Sequence, residues 1–345
     1  MQALHRTVAV LFVVTISAFA AVWIYYIQQG KKLDIDPLTF TPLRVVAYPT
    51  FVSSFGPGPT LVKEFERRCR CQVELLNAGE SSLILEKILA QGENYHVDVV
   101  VGLDQFTKVR ALEKMRWKSI DVPESLLSEN LKIRSLDALV AFDWSPMTFI
   151  YKRDQVEPPH RLGDLLDPRF AGKVSLENPR TSTPGLQFLY WVRDVLGKEE
   201  ALEFFSKLKN QKFVFADSWS HSYGLFQDGP LAMSFSYMTS AVFHWSEKKD
   251  ENFQPAIFEE GHPIQVEYVG VPDRCRKCEI AKDFVKFLLE PGSQSLIMQK
   301  NYMLPLKQQV QKGSLFEKLP EARVLPLTQP DEDWLQKAFS ALGLE

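Results

Sequence analysis

Three consecutive hydroxyls, Thr181, Ser182 and Thr183, stand directly before Pro184-Gly185. Thr183 can cap a helix whose first residue is Pro184, because proline's missing N–H falls where a helix has no internal acceptor for it. A helix start with spare N–H groups and crowded hydroxyls favours an anion. Simple capping with no ligand is the plainer reading of this stretch taken alone. Gly79-Glu80-Ser81-Ser82 is a second helix start of the same kind. It follows a strand, where open α/β sheets bind their ligands. Glu80 complicates an anion site, since a carboxylate there attracts a cation or accepts from an amino group.

Aromatic residues recur at expected strand ends and loop starts: Tyr48, Trp144, Trp219, Tyr223 and Tyr237. Rings so placed can stack on a flat heterocycle or cover a quaternary nitrogen, each good contact contributing about 0.5–2 kcal/mol. One such ring alone is ordinary core or rim packing; several at the mouths of successive strands point to a ligand. Tyr237-Met238-Thr239-Ser240 adds two hydroxyls before another helical stretch, 241–247. Other chemistry is thinly represented. The six histidines lack the i, i+4 metal spacing, and His262 reads as a turn residue. G-x-S-x-G, P-loop and G-x-G-x-x-G patterns are absent from the sequence, which removes the usual hydrolase and nucleotide-binding signatures. Four cysteines form two close couples, Cys69/Cys71 and Cys275/Cys278. They read either as disulfides within each couple or as a four-thiolate zinc site, for which Cys-x-Cys is a poor half.

The elements that must position these residues alternate. Strands are expected at 43–47, 73–76, 97–101, 142–151, 174–176, 213–215, 232–237 and 264–269, with helices at 60–68, 83–89, 186–196 and 281–289. In the first third, strand–helix alternation predicts a parallel sheet with right-handed crossovers. A second unit begins near Ala141. Beyond Lys312 the sequence is poorly periodic and proline-bearing, and no element is assigned there.

A chain of 345 residues, 45% hydrophobic and 24% charged, is of globular type and long enough for two domains. Its formal net charge of −3 lacks the basic footprint of a nucleic-acid binder. At the N-terminus, His5-Arg6 precede an apolar run from Val8 to Ile27. Twenty residues of helix rise about 30 Å, enough to cross a bilayer core. Ala18-Phe19-Ala20 also fits a signal-peptide cleavage site. Residues 1–30 are therefore a signal peptide or an uncleaved inner-membrane anchor, and 31–42 a tether. Either way the body lies outside the cytoplasm, in the periplasm.

Several stretches recur in a known order and spacing. They are Phe55-Gly56-Pro57-Gly58-Pro59, Cys69-Arg70-Cys71, Asp98 to Asp104, Pro179 to Gly185, Trp219-Ser220 with Tyr223 to Phe226, Ser236-Tyr237 with Thr239-Ser240, Glu247 to Asp250, and Glu260-Gly261-His262 with Gln265-Val266-Glu267. From Leu43 to Pro305 the chain thereby resembles the thiamine-binding periplasmic proteins of ABC importers, within the two-lobed solute-binding class. The resemblance implies an α/β fold of type II, with mixed sheets flanked by helices and a ligand cleft between lobes. One lobe would comprise 43–140 and 266–345, the other 141–265. It implies capture of thiamine or a thiamine phosphate by a monomer, delivery to an ABC permease, and no cofactor or metal. Ser182 and Thr183 would hold the hydroxyethyl arm or its phosphate. Trp219 and Tyr237 would pack on the heterocycles, and Thr239 and Ser240 would add polar contacts. Tyr48, after the first strand, is a further candidate ligand-binding residue. Glu80 and Ser81 replace a familiar Asp-Gly pair, Met238 a Thr and Tyr302 a Trp. Cys275-x-x-Cys278 has no counterpart in the pattern.

Two other readings share the fold. An iron(III) or small-anion carrier would use adjacent tyrosines, and the only such pair, Tyr25-Tyr26, lies in the membrane segment. A thiamine-cleaving enzyme would need a cysteine nucleophile in the cleft. None of the four cysteines falls on a cleft motif.

Overall fold

A computed structural model describes residues 41–92, 96–126 and 138–344. The expected membrane segment and nearly all of the tether lie outside these residues. Among the described residues no helix is long and apolar enough to cross a membrane. Strand β1 (Leu43–Ala47) is followed by a single turn, α1 (Pro49–Val52), and by α2 (Gly58–Cys69), which buries Leu61 and Phe65 one turn apart. Strand β2 (Val73–Asn77) and helix α3 (Ser81–Gln91) come next. Strand β3 (Val99–Asp104) is buried throughout, as its continuous apolar run requires. Helix α4 (Gln105–Lys114) starts on Asp104, whose carboxylate accepts from the N–H groups of Phe106 and Thr107. β2 and β3 flank β1 in parallel, as expected.

The remaining elements are β4 (Leu139–Lys152), β5 (Val174–Glu177), α5 (Thr183–Leu196), α6 (Lys198–Leu208), β6 (Val214–Ala216), α7 (Trp219–Gln227), β7 (Met233–Tyr237), α8 (Ser240–Phe243), β8 (Phe253–Pro255), β9 (Ile264–Gly270), α9 (Cys278–Leu288), α10 (Pro291–Asn301), β10 (Leu304–Pro305) and α11 (Glu332–Leu342). The strands run in the order β2-β1-β3-β9-β4-β7-β5-β6, with β8 and β10 also on β4. The sheet is mixed. β9 returns antiparallel to β3, and the 14-residue β4 pairs antiparallel with β9 through Pro146 and with β7 from Met147 onward. The wholly parallel arrangement therefore holds only for β1, β2 and β3 at one end and for β5 with its neighbours β6 and β7 at the other. Trp144, expected at a strand end, lies in the middle of β4, because that strand is far longer than average.

Apolar side chains gather into separate cores. One packs β1, β3, β9 and the start of β4 against α2, α3 and α9. Another gathers Met147, Phe149, Phe188, Trp191 and Phe235. A smaller one joins Ile150, Tyr223 and Phe226 to Met298, Leu304 and Phe316. Helix α11, which the sequence pattern did not reveal, adds Trp334, Leu335 and Phe339 to the second core. Burying a side chain such as Phe339 stabilises by about 1.5–3 kcal/mol, enough to hold a short terminal helix. Both cysteine couples are closed as disulfides, Cys69–Cys71 and Cys275–Cys278, and no metal-holding group of side chains occurs among the described residues. The Cys275–Cys278 loop is pinned by buried Asp98, which accepts from the N–H groups of Arg276 and Lys277 and, through its other oxygen, from that of Arg44.

Candidate functional site

A cavity of about 370 Å³ opens where β1, α3, α5, α7, β7, β9 and α10 end or begin. Of the residues singled out from the sequence, Tyr48, Glu80, Ser81, Ser182, Thr183, Trp219, Tyr237, Ser240 and Tyr302 line it together. Met238 and Thr239 do not. The chain turns inward after Tyr237, leaving Met238 in the core, with its N–H on the Pro146 carbonyl at 2.8 Å. Thr239 is fully buried with its hydroxyl 3.1 Å from that of Ser145.

One wall is aromatic. Ser218 caps α7 by accepting from the N–H of His221, so Trp219 and Tyr223 sit on the first turns of a helix rather than on strand ends. Their rings stack with centroids 5.1 Å apart, and Tyr237 lies 6.0 Å from Trp219. The indole N–H of Trp219 donates to Ser236 Oγ at 2.8 Å, and that hydroxyl lies 2.9 Å from Ser240 Oγ. Trp219 therefore has its polar edge satisfied and one face backed by Tyr223. Tyr302 closes another side. Its backbone is left-handed (φ 54°) and its hydroxyl donates to Glu247 at 3.0 Å.

The hydroxyl side is built from two helix starts. Helix α5 begins at Thr183 with Ser182 as its cap, one residue earlier than the Thr-Pro pattern suggests. Ser182 makes no side-chain capping bond, which leaves its hydroxyl uncommitted to its own helix. Thr183 Oγ1 instead donates to Asp104 Oδ2 at 2.5 Å, joining the starts of α5 and α4. Burial raises the Asp104 carboxyl above its ordinary value, while Thr183, Phe106 and Thr107 oppose that. At the start of α3, Ser82 Oγ donates to the Thr181 carbonyl at 2.8 Å, so the two hydroxyl-rich loops are tied together. Arg180, in the same loop as Ser182, lies over the Phe339 ring at 4.4 Å and donates to the Leu344 carbonyl. Burial raises the Glu80 carboxyl as well.

The remaining wall was given no site role from the sequence, although Gln265-Val266-Glu267 is one of the stretches that carry the resemblance. Gln265 and Glu267 on β9 and Asn301 at the end of α10 line the same cavity. Tyr48 donates its hydroxyl to Glu267 Oε2 at 2.6 Å and receives the Asn301 amide at 2.7 Å. Its ring rests on Gly102, where a Cβ would come within 2.2 Å, at a φ of 93° that glycine tolerates. Gln265 Nε2 donates to the Tyr237 hydroxyl at 3.0 Å. Burial, with Glu267, Glu177, Asp143 and Asp104 nearby, holds that phenol well above its ordinary value and therefore neutral. The signal for this wall was present as strand alternation, since 265 and 267 must share a face. Which face met the cavity depended on the pairing of β9, which the sequence does not print.

A family profile described as bacterial extracellular solute-binding protein matches residues 95–329, and the chain belongs to that family. Within it, the chain is similar to proteins named thiamine-binding periplasmic protein. The one from Salmonella typhimurium is 33% identical over 268 residues, covering 76% of this chain and 80% of the relative. The one from Brucella abortus is 31% identical over 326 residues, covering 93% and 94%. Among solved structures, one described as a periplasmic thiamin binding protein superposes with a TM-score of 0.81 at 31% identity, covering 87% of this chain and 96% of the other. A ferric ion-binding protein of Pasteurella haemolytica, 16% identical with a TM-score of 0.68, shares the fold.

Proposed function

We propose that this protein captures thiamine, or a thiamine phosphate, outside the cytoplasm and hands it to the permease of an ABC importer. The observation that carries this reading is the make-up of one cavity: Trp219, Tyr223, Tyr237, Tyr48 and Tyr302 share it with the carboxyls of Glu80 and Glu267, against Lys300 as the single lining cation among the described residues. Such a wall suits a flat organic cation, which gains stacking on its faces and acceptors at its edges. Thiamine has a cationic thiazolium, an aminopyrimidine and a hydroxyethyl arm, and the names of the relatives point to the same ligand.

The arm, or its phosphate, goes to the start of α5. Ser182 Oγ and the free N–H groups there are the donors. The Thr183 hydroxyl already donates its hydrogen bond to Asp104, so it serves as a positioning residue. Trp219 and Tyr237 pack on the heterocycles, while Ser240, Glu80 and Ser81 border them. The two larger cores act as lobes, bridged by β4 and by the chain entering β9, and they close on the ligand. Because α11 packs on the second core, 332–342 move with that lobe in this reading. The protein works as a monomer, in the periplasm or tethered to the inner membrane by its N-terminal segment.

Capture occurs without turnover. All four cysteines are disulfide-bonded and none lines the cavity, which leaves no thiolate nucleophile beside the ligand. Native mass spectrometry of the purified body tests the reading, with a co-purified ligand of thiamine-like mass expected. Failure to bind added thiamine would overturn it. Release of a free pyrimidine product during incubation with thiamine would replace capture by catalysis.

A further inference from the structure

Strand β9 turns two side chains to the cavity, and one of them is short of a partner. Gln265 is buried to 2% exposure and lines the space; its amide nitrogen is used by Tyr237, but its Oε1 has no hydrogen-bond partner. A buried acceptor left in this state is costly until a donor arrives. Glu267, two residues on, accepts from Tyr48 and stands directly across the β4–β9 register from Asp143. Asp143 is fully buried, receives the Asn301 amide at 3.1 Å on one oxygen, and has no partner for the other. Two buried carboxyls facing each other across one register do not both ionise readily, and their protons belong to the pair.

The surroundings of the pair are acidic or neutral except for one lysine. Asp104 faces Glu267 from β3, Asp143 from β4, Tyr48 from the end of β1 and Tyr237 from β7, while Lys300 of α10 lines the same cavity. Burial first, with repulsion from Asp104 added, pushes Glu267 up to about 7. Burial and the charge of Glu267 hold Asp143 well above its ordinary value. Below about pH 7 the pair is doubly protonated and neutral; above it, the pair keeps one proton and carries one negative charge.

We propose that the β9 wall is the specificity determinant of the site, with Gln265 Oε1 accepting an amino N–H of the ligand and the Asp143–Glu267 pair supplying a single negative charge to an organic cation. This rests on the capture reading above and names the groups that select the ligand's charge and amino edge. Cation entry favours the anionic pair. Below about pH 7 the Glu267 O–H bond therefore breaks on binding, its electron pair stays on the carboxylate, and one proton passes to the buffer.

Calorimetry of thiamine binding to the full chain, on both sides of pH 7 and in buffers of different ionisation enthalpy, tests this. The wild type should lose up to about tenfold in affinity per pH unit below 7 and release close to one proton there. An uncharged analogue carrying a thiophene in place of the thiazolium should show neither effect. Glu267→Gln should bind thiamine at least about tenfold more weakly above pH 7, with a flat pH profile. Gln265→Met should lose more affinity for thiamine than for an analogue with oxygen in place of the amino group. Thiamine binding by the wild type with no pH dependence and no proton release overturns the inference, even if no variant folds, and leaves the capture reading standing. Absence of thiamine binding at any pH removes both.

Discussion

The two main walls of the cavity meet the same space but are built on opposite principles. On the aromatic side the polar atoms of the rings are spoken for: Trp219 N–H on Ser236, which lies beside Ser240, and Tyr223 on His244 at 3.0 Å. On the β9 side Gln265 Oε1 and Asp143 Oδ1 are buried and unpartnered, and two carboxyls crowd one another. The aromatic wall is a finished surface that attracts any flat ring. The β9 wall is held in a costly state and discriminates among rings by charge and donors. Affinity and selectivity are thus assigned to different elements, and they should separate on mutation.

The largest expected effect lies in stability. Folding raises Glu267 from 4.5 to about 7, so the folded protein holds a proton that the unfolded chain releases. The stability this group contributes is complete below about 4.5 and is lost as pH rises through 7. Glu267→Gln removes that loss, and at neutral pH the variant should be more stable than the wild type by up to about 3 kcal/mol. Thermal unfolding across this range should show the two proteins diverging as pH rises; a constant gap would mean that the β9 wall is not under strain.

Next in size is the aromatic wall. Trp219→Ala should weaken thiamine binding by about 2 kcal/mol, and Tyr237→Ala nearly as much, with unchanged circular dichroism and the same loss on either side of pH 7. A pH-dependent loss would blur the division between the walls. Smaller again, Ser182→Ala should cost about 1 kcal/mol with thiamine phosphate and less with thiamine, as read by calorimetry; equal losses would remove the phosphate from the start of α5. Last, Tyr302→Phe keeps the ring and drops only the hydroxyl's contacts with Glu247 and Ser246, and should change affinity by less than about 0.5 kcal/mol.

Much of this arrangement was legible in the residues. Continuous apolar runs marked β1 and β3, and Thr-Pro after three hydroxyls marked the start of α5 to within one residue. Nine of the eleven expected site residues line one cavity. What escaped depends on long-range pairing. The Asp143–Glu267 pair exists because β4 and β9, more than a hundred residues apart, meet in one register, and nothing local in either strand announces it. Met238 and Thr239 were expected at the site from the resemblance, but a turn sends them inward. Helix α11 was hidden because its apolar residues follow a proline-bearing stretch, and only the second core gives them a partner.

The bond from Arg180 to Leu344 means that the far end of the chain acts as a backstop for the loop carrying Ser182. With Phe339 under the guanidinium, the final helix and the loop are clamped face to face. Trimming the last few residues would take nothing from the cavity itself, yet it would let that loop swing, and the penalty would register in how tightly a phosphate is gripped.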